Sequence, residues 1–169
     1  MVDLTGPRPR RWLSVIVGVA VALLLAGPMT ARGDEVSRDE FREAAEPICK
    51  KNTEVNERIL AGARAEVRHD EFGKAAKKLA AAGRALKGTL GQLKAIPRPT
   101  ADQAHLAKWF KFIAEEVGYF ELSARQLKAG KKTQASKSVV RLTSIADRAN
   151  AQVIPFEFTY CRLEPSRFT

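Results

Sequence analysis

Aromatic residues make up only 7% of this 169-residue chain, which holds two cysteines, two histidines and two methionines. Each scarcity excludes something. Two Cys and two His are too few for a zinc scaffold or a disulfide-dense miniprotein, whose ligands or bridges must replace a missing core. With 45% hydrophobic residues the chain is also too apolar for a disordered tail. Met1 and Met29 both precede residue 34, so the rest has no methionine to pair with histidine on a haem, and no C-x-x-C-H offers covalent haem attachment. G-x-S-x-G, H-E-x-x-H and a phosphate-binding glycine loop are all missing. The sequence therefore offers no catalytic residue set; the expectation is a protein that is not an enzyme and carries no cofactor.

What is present begins with an export pattern. Arg8, Arg10 and Arg11 precede a 14-residue apolar run from Leu13 to Ala26, followed by Pro28 and Ala31-Arg32-Gly33. Basic, apolar and small-residue regions in this order make a secretory signal, and the run is shorter than the roughly 20 residues of a spanning helix. Residues 12–31 are nonetheless uncharged, so the segment could remain as an N-terminal membrane anchor with its arginines in the cytoplasm. Either way residues 1–33 deliver residues 34–169 outside the cytoplasm, as a secreted or a membrane-anchored domain. Trp12-Leu13-Ser14 after Arg10-Arg11 fits a twin-arginine signal poorly, and no Cys near the run could take a lipid.

Outside the cytoplasm, Cys49 and Cys161 are a lone pair, and one disulfide joining the start of the domain to its end is the default reading. Two free thiols are the rival. Losing residues 1–33, which carry four basic residues and one acid, lowers the net charge from +10 to +7.

Residues 34–169 read as four helical segments. Ser37-Arg38-Asp39-Glu40 is a capping box opening the first, which is expected to run to about His69 with Ala45, Ile48, Asn52, Val55 and Ile59 facing the core. Pro47 would kink this helix or mark its first turn. The second, from about Asp70 to Ala95, carries Phe72, Ala76, Leu79, Gly83, Leu86, Leu90 and Leu93 at the same spacing and ends at Ile96-Pro97-Arg98-Pro99. Thr100 with Gln103 would cap the third, where Leu106, Phe110, Ile113, Val117, Phe120, Ala124 and Leu127 alternate four and three apart before Ala129-Gly130. The fourth, from about Thr133 to Val153, places Ala135, Val139, Leu142, Ala146, Ala149 and Val153 on one face. Four such helices with short connections predict an all-α fold, an antiparallel up-down four-helix bundle. The tail residues Phe156 and Phe158 are expected to pack over the pole that holds both chain ends.

Three stretches also carry a likeness. Ala45-Glu46-Pro47-Ile48-Cys49-Lys50-Lys51-Asn52, the break Ile96-Pro97-Arg98-Pro99, and Phe158-Thr159-Tyr160-Cys161 together resemble small exported helical-bundle proteins of high-GC bacteria, generally of unknown function. The resemblance covers essentially all of residues 34–169. It implies the bundle and a Cys-Cys staple, and no activity; the eight residues after Cys161 depart from it.

Binding candidates are few. Glu66-x-x-His69 and Asp102-x-x-His105 have the spacing of di-metal bundles, but they fall at opposite poles and the core stripes supply no inward Glu, so no metal site is expected. Asn52, on the core stripe, and Asn56 one turn on form a candidate buried polar site, which either fixes helix register or holds a small ligand or metal between helices. Charge is uneven: residues 34–70, 71–100, 101–128 and 129–169 carry nets of −3, +6, 0 and +4. Part of this should cancel between acidic first helix and its basic neighbours. The rest points to an exposed basic face at Lys74, Lys77, Lys78 and Lys87, which either solubilises the protein or meets anionic lipid headgroups or cell-envelope polymers. Export makes nucleic acid no partner. The leading expectation is a non-catalytic binding or structural component of the cell envelope, with a small-ligand or metal carrier using the bundle interior as the alternative.

Overall fold

A computed structural model describes residues 35–164, which form a helical bundle closed by a disulfide. The export segment lies outside the described residues. Among those described there is no strand, and no helix is long and apolar enough to cross a membrane. The α-helices are α1 (Arg38–Leu60), α2 (Ala63–Arg68), α3 (Phe72–Ala95), α4 (Gln103–Lys128) and α5 (Lys132–Gln152), with short 3₁₀ turns at Thr100–Asp102 and Ile154–Phe156.

Helix α1 starts where the capping box places it. The Glu40 amide donates to Ser37 Oγ at 3.2 Å while the Ser37 amide donates to the Glu40 carboxylate at 2.7 Å. Pro47 neither starts nor interrupts it. Pro47 and Glu43, whose carbonyl loses its helical donor to the proline ring, are both exposed, so water can serve that carbonyl. The expected single helix to His69 is broken instead at Gly62, which adopts φ +77. The chain turns there through a left-handed residue that only glycine takes without strain, and resumes as α2. Thr100 and Gln103 do not form the expected cap: the chain leaves Pro99 in a 3₁₀ turn and α4 begins without a side-chain cap. At the far end of α4, Gly130 at φ +69 closes the helix with the Gly130 and Lys131 amides donating to the carbonyls of Leu127 and Gln126.

The 4-3 stripes of α3, α4 and α5 are the core almost residue for residue; every expected α4 position is buried, and only Phe72, Leu79 and Val139 on the others are half-covered. The α1 stripe is rotated. Phe41, Ala45, Cys49, Asn56 and Leu60 are buried, whereas Ile48, Asn52, Val55 and Ile59 are half-exposed. The cause is a missing neighbour: α1 packs along α3, α3 along α4 and α4 along α5, but α1 and α5 do not pack along each other. At one end of this seam the C-terminal tail fills the gap. Phe156 and Phe158 are buried there, as the sequence predicts, with ring centroids 5.6 Å (Phe41–Phe156) and 5.5 Å (Trp109–Phe158) apart.

Candidate functional site

Cys49 and Cys161 are joined, and no cysteine is free, which removes the two-thiol alternative. A structural disulfide fits an oxidising compartment outside the cytoplasm. The bond brings the tail across α1, and two further attachments hold it, one to α1 and one to α5. The Glu46 carboxylate accepts the amides of Thr159 and Tyr160, the latter at 2.8 Å. The Asn150 side chain accepts the Leu163 amide at 2.8 Å and donates to the Leu163 carbonyl at 2.9 Å.

Under this strap lies a cavity of about 50 Å³, lined by Cys49, Asn52, Thr53 and Asn56 of α1, Leu86, Thr89 and Leu93 of α3, Trp109, Ile113, Glu116 and Phe120 of α4, and residues 160–164 of the tail. The two asparagines named by the sequence meet here. Asn52 Oδ1 accepts from Asn56 Nδ2 at 3.3 Å and from the Thr89 hydroxyl at 3.1 Å, which ties α1 to α3 across their contact. Asn56 is 4% exposed, and its own Oδ1 has no partner.

Glu116 was not among the sequence candidates, and the expectation that the core carries no inward Glu is corrected by it. It is 4% exposed, and its Oε2 is buried without a partner, as is the indole Nε1 of Trp109 beside it on the cavity wall. Burial alone pushes the Glu116 carboxyl up to about 8, so near neutral pH the protonated acid, a donor as well as an acceptor, predominates. Trp109, Glu116 and Ser123 stand seven residues apart, flanking the apolar stripe, and Ser123 Oγ is also buried without a partner. That recurring polar offset was the available signal; reading only the apolar positions hides it.

Among the described residues, two of the four candidate lysines are engaged in ion pairs and two are not. Lys74 pairs with Glu71 at 2.9 Å, and Lys78 reaches both the Glu66 carboxylate and the Ala61 carbonyl at 2.6 Å, covering the break between α1 and α2. Lys77 and Lys87 are exposed, with no ion pair among the described residues. The expected cancellation of charge between the first helix and both basic neighbours is thus confined to contacts such as Lys78–Glu66 and Lys132–Asp70. The carboxylates of the two His pairs are engaged by cations: Glu66 by Lys78, and Asp102 by Arg38 at 2.6 and 2.9 Å; His69 and His105 are exposed. Among the described residues no three His, Cys, Asp or Glu side chains cluster as metal ligands.

No protein-family model, curated protein or solved structure matches the chain.

Proposed function

We propose that this chain is an exported, non-catalytic binding protein of the kind its Ile-Cys and Phe-x-x-Cys motifs resemble. Residues 1–33 act as a cleaved signal or a retained anchor. Residues 34–169 make an antiparallel up-down four-helix bundle, with α1 and α2 together as its first helix. Its role is to carry a small polar molecule in the cavity under the tail. The observation behind this reading is Glu116: a carboxyl group taken out of water, with an oxygen left unpartnered, beside the unpartnered Asn56 Oδ1 and Trp109 Nε1. Buried polar atoms are costly unless something satisfies them, and these three belong to residues that line one cavity. At roughly 10 to 15 Å³ per water, the cavity of about 50 Å³ takes about three to five waters or a molecule of a few non-hydrogen atoms. Such a ligand would accept from Trp109 and exchange hydrogen bonds with Glu116 and Asn56.

Native mass spectrometry of the full chain purified from its source tests this. A stoichiometric adduct retained by the native protein and lost in Glu116→Leu supports the reading; an empty mass for the native protein means that the cavity holds only water.

A second reading, contact with anionic lipid headgroups or envelope polymers, is favoured by the exposed and unpaired Lys77 and Lys87 on α3. Salt-sensitive co-sedimentation with anionic vesicles, reduced in the double variant Lys77→Ala/Lys87→Ala, is its expected result.

A further inference from the structure

Away from the tail, the seam between the first helix and α5 is not filled. Here a groove of about 400 Å³ runs between α2, α3 and α5 over α4, with Leu79 of α3 and Leu127 of α4 among the apolar residues of its floor and Val139 and Val140 along one wall. Val140 is 70% exposed, among the most exposed large apolar residues described, and it continues the half-covered Val139 on the side of α5 that has no helix against it. Contiguous exposed apolar surface of this kind marks a binding site more often than scattered single residues do. The opposite wall is α2, which contributes Arg64 and Arg68, one turn apart and both exposed. No Asp or Glu lines the groove, and neither arginine has an ion pair among the described residues. An apolar trough with two uncompensated guanidinium groups on one rim complements one ligand class above others: a hydrocarbon chain ending in an anion.

We propose that this groove binds a long-chain fatty acid, the chain lying on Val139, Val140, Leu79 and Val67 and the carboxylate meeting Arg64 and Arg68. Arginine suits the task because its planar fork offers paired donors to a carboxylate, while its stem extends the apolar wall. The groove is distinct from the cavity under the tail, and the proposal does not depend on the cavity being a ligand site.

The test titrates the purified full-length chain with a naturally fluorescent polyene fatty acid, following emission and checking helix content by circular dichroism. Saturable one-to-one binding is expected. Arg64→Glu/Arg68→Glu should weaken it roughly tenfold or more, as loss of charge-assisted hydrogen bonds predicts, with helix content unchanged because both side chains are exposed. Val140→Asp should weaken it as well, and the methyl ester of the same fatty acid, which has no charge for the arginines to meet, should bind the native protein several-fold more weakly than the acid. Equal binding by the native chain and both variants, or equal binding of acid and ester, would overturn the proposal. So would a concentration-dependent dimer in analytical ultracentrifugation that Val140→Asp dissolves, since it would assign the groove to a second copy of the chain.

Discussion

Asn150 on α5 and Leu163 in the tail bind each other in both directions, amide to side-chain oxygen at 2.8 Å and side-chain nitrogen to carbonyl at 2.9 Å. One amide side chain thereby stands in for a strand partner, satisfying the donor and the acceptor of a residue that belongs to no helix. Leu163 lines the cavity mouth, so this pair and the disulfide share the work of keeping the tail in place.

Replacing Asn150 with Ala removes both bonds and should cost about 1 to 2 kcal/mol, read from urea unfolding. Asn150→Asp keeps an oxygen for the Leu163 amide but sets a second carboxylate oxygen against the Leu163 carbonyl, so it should not restore the native stability. Hydrogen exchange at the Leu163 amide gives an independent readout: it should speed up in the Ala variant while exchange in the middle of α4 falls only with global stability.

The disulfide closes a loop spanning 112 sequence positions. Cys49→Ser/Cys161→Ser should therefore lower unfolding stability by about 4 to 5 kcal/mol on the chain-entropy account. A loss under about 1 kcal/mol would mean that Glu46, Asn150 and the buried Phe156 and Phe158 hold the tail unaided.

Glu116 makes stability depend on pH in a definite direction. Its carboxyl is raised from 4.5 to about 8 in the folded protein by burial. The folded state therefore binds more protons than the unfolded state between these values, and stability falls as pH rises through that window. Its contribution is complete below about pH 4.5 and lost above about 8. Between pH 5 and 9 the decline should be on the order of 3 to 4 kcal/mol, and Glu116→Gln, which cannot ionise, should flatten it. Urea midpoints at several pH values would show this; parallel curves for the native protein and the variant would contradict a buried, ionisable Glu116.

Gly62 is needed for its backbone, not for space. A methyl group there would meet only the flexible end of Lys78, at 3.6 Å, but φ is +77. Gly62→Ala should cost about 1 kcal/mol, measured as a lower melting temperature with the bundle intact. A stabilised variant would show that the joint between α1 and α2 straightens into the single helix that the sequence pattern favours.

The helices from α3 to α5, the start of α1 and the lone Cys pair are legible in the amino-acid order, because each depends on local information: a repeat of four and three, a capping box at Ser37, a glycine at position 130. The repeat on α4 needed no knowledge of its partners, since that helix packs against both α3 and α5 and buries its stripe from two sides. The α1 stripe was misplaced because α1 leans on α3 and on a tail more than 100 residues away, and which side of a helix is buried depends on what covers it. Glu116 was invisible for the same reason. A carboxylate flanking an apolar stripe is ordinarily solvated, and here the tail brought over by Cys161 closes the space it faces. The order of residues determined the helices and the staple; only tertiary packing decided that one end of the open seam is covered by the tail above three unsatisfied polar atoms while an apolar groove with a basic rim is left open between α2 and α5, because both follow from where the tail lies and which helices pack along each other.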